Sequence, residues 1–365
     1  MELPVAFNVD TAHLQRLFDN KSECYKLFWF KAIVDSVFEG ETVLCYGDLI
    51  DRMIADAWYM VAEYKLNLGP NDTLEKIVLY TSSFTGLKSS ESKENIISTM
   101  KGLRDLEFLK LKKTLTYNVP YRLQAPFISD IEWHKSAKCV AEQINKFADL
   151  IYYFKTIDGL NSTIVVQDNW AEYIRANYQI LEGWILYDMI EYLQRRNPGV
   201  PGIPNKISPP EKRDLTAVHT YWKEIAAVSP ILDVYSGNLL SQKDITADHF
   251  VPWSYVAHDE LWNLCPTIKN INSSKSNNLP NWDRYFKNLS DFEFATYELT
   301  SENETLLKLF NKCADKHINS IDVRERLYRP GQSRTEFTET LSGIILPVYT
   351  AAQNLGFGEW AYEYA

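Results

Sequence analysis

Apolar residues recur at three- and four-residue steps through most of the first 225 residues, which is the period of a helix with one buried face. One such stripe runs through YGDLIDRMIADAWYMVAEYKLN (46–67). The same period returns in NWAEYIRANYQILEGWILYDMIEYLQRR (169–196), for which we predict one helix capped at Asp168 or Asn169. The segment STIVVQ (162–167) is the one strong strand candidate in this half. The pattern predicts a mainly α-helical protein.

Two changes of pattern divide the chain. Prolines and glycines crowd the basic segment RRNPGVPGIPNKISPPEKRD (195–214), which predicts a non-helical connector between two lobes. After one more helical stretch, ILDVYSGNLLSQKDITADHF (231–250) favours short strands around a Ser-Gly-Asn turn. Helical patterning resumes beyond residue 290. We therefore predict a helical N-terminal region, an inserted region with strands, and a helical C-terminal region, at residues 1–225, 226–290 and 291–365.

Composition narrows the class of protein. The 365 residues, 45% of them hydrophobic, exceed one typical core, so two or three packed lobes are expected. No run of about 18 apolar residues and no basic, apolar leader occurs, so we expect a cytoplasmic protein with no membrane partner. The five scattered cysteines predict neither a disulfide framework nor a structural zinc. The net charge of −10 disfavours nucleic-acid binding by the whole surface, so local basic clusters must carry any such binding.

Polar residues cluster in the inserted region. Asp248 and His249 end a predicted strand, and the Phe-Val-Pro turn behind them can direct both side chains toward one site. A loop leads to Asn263, and NLCPT (263–267) predicts a return strand. A helix after that strand would bring Asn272 back over the first one. The predicted unit is strand, strand and helix.

Phosphodiester hydrolysis needs a hard divalent cation, a base for water and a group that orients the base. Asp248 and the side-chain carbonyl of Asn272 are oxygen donors suited to magnesium. His249 is the natural base near neutral pH, and Asn263 can hold it or brace the loop. Lys275, one helical turn after Asn272, can meet a phosphate oxygen. The pattern therefore favours a metal-dependent nuclease.

The motifs DHFVPWS, DELWNL and NINSSKSNNLP together resemble the HNH (His-Asn-His/Asn) endonuclease family, whose fold is a ββα-metal finger. Their spacing is especially similar to the HNH domain of RNA-guided CRISPR effector nucleases. The flanks do not match those effectors, and the resemblance covers about 50 of the 365 residues. It implies helical lobes with an inserted ββα finger within residues 226–290.

The resemblance also implies roles for four residues. His249 matches the general base, Asp248 a metal ligand, Asn263 the middle asparagine, and Asn272 the last metal-binding His or Asn. The expected cofactor is Mg²⁺ or Mn²⁺.

Many HNH proteins surround the finger with two Cys-x-x-Cys pairs that bind zinc. This chain has Ile268 and Ile271 where the second pair would fall, so apolar packing is expected to hold the finger instead.

The resulting hypothesis is divalent-metal-dependent hydrolysis of DNA in a phage-defence or mobile-element setting, with a partner protein or an oligomer delivering the substrate. A non-catalytic interaction subunit with a relic finger and an RNA-directed nuclease stay as alternatives. Other polar residues of the finger carry weaker hypotheses: His258 could touch DNA, and Cys265 is expected to be core filler. Candidates for contact with the nucleic-acid backbone are Lys275 in the finger and Arg195, Arg196, Lys212 and Arg213 in the connector.

Overall fold

The chain divides into two units at the proline- and glycine-rich connector. In a computed structural model that describes residues 2–20, 22–208, 214–317 and 321–363, contacts separate Met1–Pro198 with Ile203–Pro210 from Gly199–Gly202 with Glu211–Ala365. The predicted regions 1–225, 226–290 and 291–365 are a functional division that these units do not test. The helix that begins at Thr216 belongs by its contacts to the second unit.

Helices form most of the first unit. Their bounds are α1 (Thr11–Leu14), α2 (Tyr25–Phe38), α3 (Tyr46–Trp58), α4 (Thr73–Thr85), α5 (Lys93–Gly102), α6 (Leu106–Thr114), α7 (Val119–Arg122), α8 (Ala137–Ile144), α9 (Asp168–Ala176) and α10 (Tyr178–Arg196). Asp72, Ser92 and Asp105 each accept a backbone N–H bond at the start of α4, α5 and α6, which fixes where these helices begin. Trp29 of α2 and Trp58 of α3 are fully buried.

A small antiparallel sheet lies in the same unit. Its strands are β1 (Val43–Cys45), β2 (Tyr152–Thr156) and β3 (Thr163–Val166), in the order β1-β3-β2. The sequence predicted β3 and missed the other two. β1 has three residues, too few to establish an alternating pattern, and it exists because Val43 pairs with Val165 far along the chain.

The second unit surrounds two short strand pairs with helices. Its elements are α11 (Thr216–Val228), β4 (Thr246–His249), α12 (Trp253–Val256), β5 (Leu264–Thr267), α13 (Lys269–Lys275), β6 (Leu279–Pro280), α14 (Trp282–Glu302), α15 (Glu304–His317), α16 (Ile321–Leu327), α17 (Arg334–Asn354) and β7 (Glu359–Trp360). β4 pairs with β5 antiparallel, and β6 pairs with β7 parallel. Trp222 of α11, Leu264 of β5 and Cys313 of α15 share one buried apolar cluster. The core of this unit therefore continues under the strand pair β4–β5, of which β4 carries Asp248 and His249.

The mainly α-helical prediction is confirmed, and one long helix is corrected. The segment 169–196 forms two helices because Asn177 leaves helical geometry, with φ −119° and ψ 20°. The Asn177 side chain donates to the carbonyl of Tyr173 at 2.9 Å and so competes with the helical ladder. The predicted cap at Asp168 or Asn169 is wrong, since Gln167 precedes α9. None of the helices in the described ranges combines the length and apolar character that crossing a bilayer needs.

Buried Glu293 of α14 makes the stability of this unit depend on pH. Burial raises the pKa of its carboxyl from 4.5 to about 8, against a weak opposing hydrogen bond from Tyr328. The folded state then holds a proton that the unfolded state releases, so stability falls as pH rises through the folded pKa. From pH 6 to pH 9 we expect the wild type to lose roughly 2–3 kcal/mol of unfolding free energy relative to Glu293→Gln.

Urea unfolding of both proteins at the two pH values measures this difference. Glu298→Gln on the exposed face of the same helix is the matched control and should follow the wild type. Parallel pH profiles for the wild type and Glu293→Gln would contradict the prediction.

Candidate functional site

Two paired strands and a short helix carry the predicted polar residues. Asp248 of β4 lies opposite Cys265 of β5, and His249 lies opposite Leu264. Every residue of β5 is buried. The chain then turns into α13, which places its side chains back over β4, as the bond from Asn272 to the Ala247 carbonyl at 3.1 Å shows.

Asp233, which the sequence analysis missed, ties the start of this unit to its end. Its Oδ2 accepts from the Thr267 hydroxyl at 2.7 Å and from the Ile268 amide at 3.2 Å. Its Oδ1 accepts from the amides of Tyr235 and Ser236. One buried carboxylate thus fixes both a tight turn and the entry into α13. Little in the sequence singles out Asp233, since an aspartate at the start of a turn is common.

His249 is held by a carboxylate that the sequence did not single out. Its Nε2 lies 2.8 Å from Oδ1 of Asp259, and its side chain is 4% exposed. A carboxylate on one ring nitrogen fixes the ring orientation and stabilises the charged imidazolium form. Asp259 follows His258 in the loop after α12, and nothing in HDEL distinguishes it from Glu260 by sequence. His258 itself faces Glu260, with Nδ1 3.7 Å from Oε1.

Asn263 is fully buried, and its side chain bonds to the backbone of Val251. Its Oδ1 accepts from the Val251 amide at 2.8 Å, and its Nδ2 donates to the Val251 carbonyl at 2.8 Å. The Asn263 carbonyl accepts from the Phe250 amide at 2.7 Å. Of the two roles the sequence left open, these bonds are those of a brace for the turn behind His249.

Asp248 is paired with a buried amine. Its Oδ2 accepts from the Tyr235 hydroxyl at 2.5 Å and lies 3.1 Å from Nζ of Lys275. Burial, together with the charge of Asp248, raises the pKa of the Tyr235 phenol, which therefore stays a donor. Lys275 also donates to the His249 carbonyl at 2.7 Å and is fully buried. The amine for which we predicted a phosphate contact thus bonds to β4.

The donor set fits a hard divalent cation. Asp248 Oδ1 and Asn272 Oδ1 accept no hydrogen bond from the part of the chain that the structure describes, and both are oxygen ligands of the kind magnesium takes. Among the described residues, no three His, Cys, Asp or Glu side chains lie close enough together to hold a metal. A cation here would therefore have few protein ligands and retain several waters, which magnesium tolerates.

Apolar residues occupy the places where relatives would carry zinc ligands. Ile271 is buried, and Ile268 packs against the apolar cluster that contains Trp222 and Leu264. Cys265 is fully buried beside the Tyr235 hydroxyl, and burial raises the pKa of its thiol well above the ordinary value. A protonated, enclosed thiol is a core residue, as the sequence indicated.

Two basic residues of the connector, Arg195 and Arg196, lie at the end of α10 in the first unit. Arg195 is three-quarters exposed, 3.9 Å from Glu191, and Arg196 donates to the Ser22 carbonyl at 2.7 Å. Lys212 and Arg213 lie outside the described residues. Arg195 thus contacts its own helix and Arg196 a residue far away along the chain, and the role of both in nucleic-acid binding stays a prediction.

Comparison with known proteins agrees with the motif. No curated protein and no solved structure matches the chain. Residues 233–281 match the family model of the HNH endonuclease, a span that begins at Asp233 and ends after the β6 strand. The match covers a small part of the 365 residues and indicates nuclease activity, with nucleic acid as the kind of substrate. It supports an HNH endonuclease family domain at residues 233–281 of this chain.

Proposed function

We propose that this protein is a divalent-metal-dependent endonuclease that hydrolyses DNA through a ββα finger formed by β4, β5 and α13. One observation carries the proposal: His249, oriented by Asp259 at 2.8 Å, follows Asp248 on a strand that Asn272 and Lys275 both bond. This strand segment collects a base, a carboxylate and an amide oxygen, which are the groups that phosphodiester hydrolysis requires.

His249 acts as the general base in this proposal. With Nε2 2.8 Å from Oδ1 of the Asp259 carboxylate, the orientation of the imidazole ring is fixed. The imidazole takes the proton from the attacking water, and Asp259 stabilises the imidazolium that results. Asn263 keeps the ring in place indirectly, by fixing the backbone of Val251 two residues further on.

Asp248 and Asn272 would hold Mg²⁺ or Mn²⁺. Such a cation, when bound, neutralises charge on the scissile phosphate and on the departing 3′ oxygen. The Tyr235 hydroxyl and the Lys275 amine fix the Asp248 carboxylate from one side. Lys275 also adds a positive charge within this group, which stabilises the anionic carboxylate while the site is without its cation.

A second candidate function has an observation of its own. His249 is 3% exposed and Asp248 is 5% exposed, whereas a phosphodiester must reach both to be cleaved. This burial favours a non-catalytic interaction subunit in which the same residues hold the domain together. The two functions differ in whether the purified chain cuts.

His249→Ala should abolish cleavage while the chain stays folded. Incubation of purified wild type with plasmid DNA and Mg²⁺ or Mn²⁺ should give cut product, and the variant should be slower by at least about 10²-fold because the base is lost. His219→Ala, a half-buried histidine in α11, is the matched control. DNA binding and the unfolding midpoint of each variant are measured alongside.

The same assay also tests metal dependence, the kind of nucleic acid that is cut, and the non-catalytic alternative. A chelator should stop wild-type cleavage. Duplex RNA and DNA of equal length, tested in parallel, decide between the two substrates. A wild type that cuts neither substrate even at low salt, where the lone chain is saturated with DNA, would support the non-catalytic subunit. The phage-defence setting is tested with the same two proteins in cells, where only the wild type should lower phage plaque counts.

Asp259→Asn should lower kcat and leave KM nearly unchanged. The amide keeps the shape of the side chain and removes the charge that stabilises the imidazolium, so we expect a loss of about 10²-fold to 10⁴-fold in kcat. Asp259→Glu restores the carboxylate and should recover part of the rate. Asp244→Asn, on the exposed segment before β4, is the control and should behave as wild type. An unchanged kcat in Asp259→Asn would remove Asp259 from the mechanism.

Delivery of the substrate by a partner protein or an oligomer follows from the net charge of −10. We expect the lone chain to bind a labelled DNA duplex no more tightly than about 10⁻⁶ M at physiological salt, which is the range of non-specific binding. Fluorescence anisotropy over a salt series measures this affinity. Nanomolar binding that survives physiological salt would rule out the need for delivery.

A further inference from the structure

The second unit contains a cavity of about 220 Å³ that is separate from the polar residues of β4. Five aromatic rings line it, contributed by α11, α14, α15 and the segment after α16: Tyr221, Trp222, Tyr297, Phe310 and Tyr328. Phe310 and Tyr328 meet at 5.0 Å between ring centroids with a tilt of 66°, so the rings enclose the space rather than stack across it. Ser301, Leu307 and Pro330 also line the cavity and are exposed, which marks its opening to solvent.

A single acidic side chain, Glu293 of α14, lines this aromatic space. The residue is 4% exposed, and its carboxyl receives one hydrogen bond from the described part of the chain, from the Tyr328 hydroxyl at 3.3 Å. A carboxylate accepts several such bonds, so this group is poorly satisfied for its depth. No basic side chain contributes to its pKa, which burial raises.

Three hydroxyl groups of the lining already have partners. The Tyr221 hydroxyl bonds to Thr300 at 2.7 Å, and the Tyr297 hydroxyl donates to the Arg329 carbonyl at 2.9 Å. The Thr296 hydroxyl donates to the backbone carbonyl of Glu293 at 2.9 Å. The cavity therefore offers a ligand one unsatisfied acidic group within a shell of aromatic faces and edges.

We propose that this cavity is a binding site for a small organic ammonium ion. An ammonium group is attracted by aromatic faces and forms an ion pair with a carboxylate. Both interactions become stronger where water is excluded. A quaternary ammonium suits the site best because it has no N–H donors to satisfy and needs the carboxylate only as a counter-ion. An anion or a sugar would find here neither a cation nor a set of unused donors.

The size of the cavity agrees with this class of ligand. A cavity of about 150 Å³ in another protein holds benzene, so 220 Å³ accommodates a head group of choline size with a short tail. The ligand competes with the proton on Glu293, since burial raises the pKa of that carboxyl to about 8. Affinity for a permanent cation therefore increases from pH 6 to pH 9.

Other titratable groups near Glu293 do not reverse this trend. The phenols of Tyr221 and Tyr328 have their pKa raised by burial and stay neutral. Cys313 lies near Tyr221, and the Glu260 carboxyl, near Tyr328, is an acid that would add to the attraction for a cation.

Choline and its uncharged isostere 3,3-dimethylbutan-1-ol test the proposal on the full chain. Isothermal titration should give saturable choline binding at least about tenfold tighter than binding of the alcohol. Glu293→Gln should weaken choline binding by about tenfold and leave the alcohol unchanged. Phe310→Leu keeps an apolar side chain and removes a ring, and it should weaken choline alone. Glu298→Gln, exposed on the same helix, is the matched control.

Equal binding of choline and the alcohol would overturn the proposal, and so would the absence of saturable choline binding up to about 10 mM. The same holds if folded Glu293→Gln binds choline as the wild type does. Folding of each variant is checked by its unfolding midpoint. Because the readout is binding and not cleavage, these results are independent of the proposed nuclease activity.

Discussion

The HNH domain depends on one buried amine. Nζ of Lys275, at the end of α13, lies 3.1 Å from the Asp248 carboxylate and donates to the His249 carbonyl at 2.7 Å. A lysine with no exposed surface is stable only if its charge is paired and its protons are bonded, and β4 supplies both conditions. Removal of one partner from such a pair costs about 3–5 kcal/mol, so the amine locks the helix against the strand. The same contacts set where the Asp248 carboxylate lies.

Polar bonds and apolar packing hold β4, β5 and α13 together. Asp233 connects the turn at Tyr235 to the start of α13 through four hydrogen bonds, Ile271 is buried, and Ile268 packs against the apolar cluster. β4 and β5 are only four residues long, which is too little to be stable alone. They persist because the core of the second unit continues beneath them from α11 and α15.

Sequence patterns located the helices and the motif well, and the partners of the motif poorly. Helical period predicted α11 and the helices α15 and α17 beyond residue 290, and the spacing of the motif predicted that Asn272 returns to β4. Asp259 was missed because its pairing with His249 depends on the path of the chain through the turn at Pro252 and α12, which no period encodes. We predicted a phosphate contact for Lys275 because a lysine is usually exposed. Its burial depends on the packing of the surrounding chain, which the residue type does not indicate. β1 and the break at Asn177 likewise depend on single long-range or side-chain contacts.

The hydrogen bonds of Asn263 limit which side chains that position accepts. One amide group both donates to and accepts from the backbone of Val251, and so extends the β4–β5 ladder by a side chain. Aspartate would direct a second acceptor at the Val251 carbonyl, and leucine could bond to neither group. Glutamine is longer by one methylene in a position with no exposed surface. The backbone geometry at a neighbouring turn thus requires asparagine at 263, whether or not the chain cleaves nucleic acid.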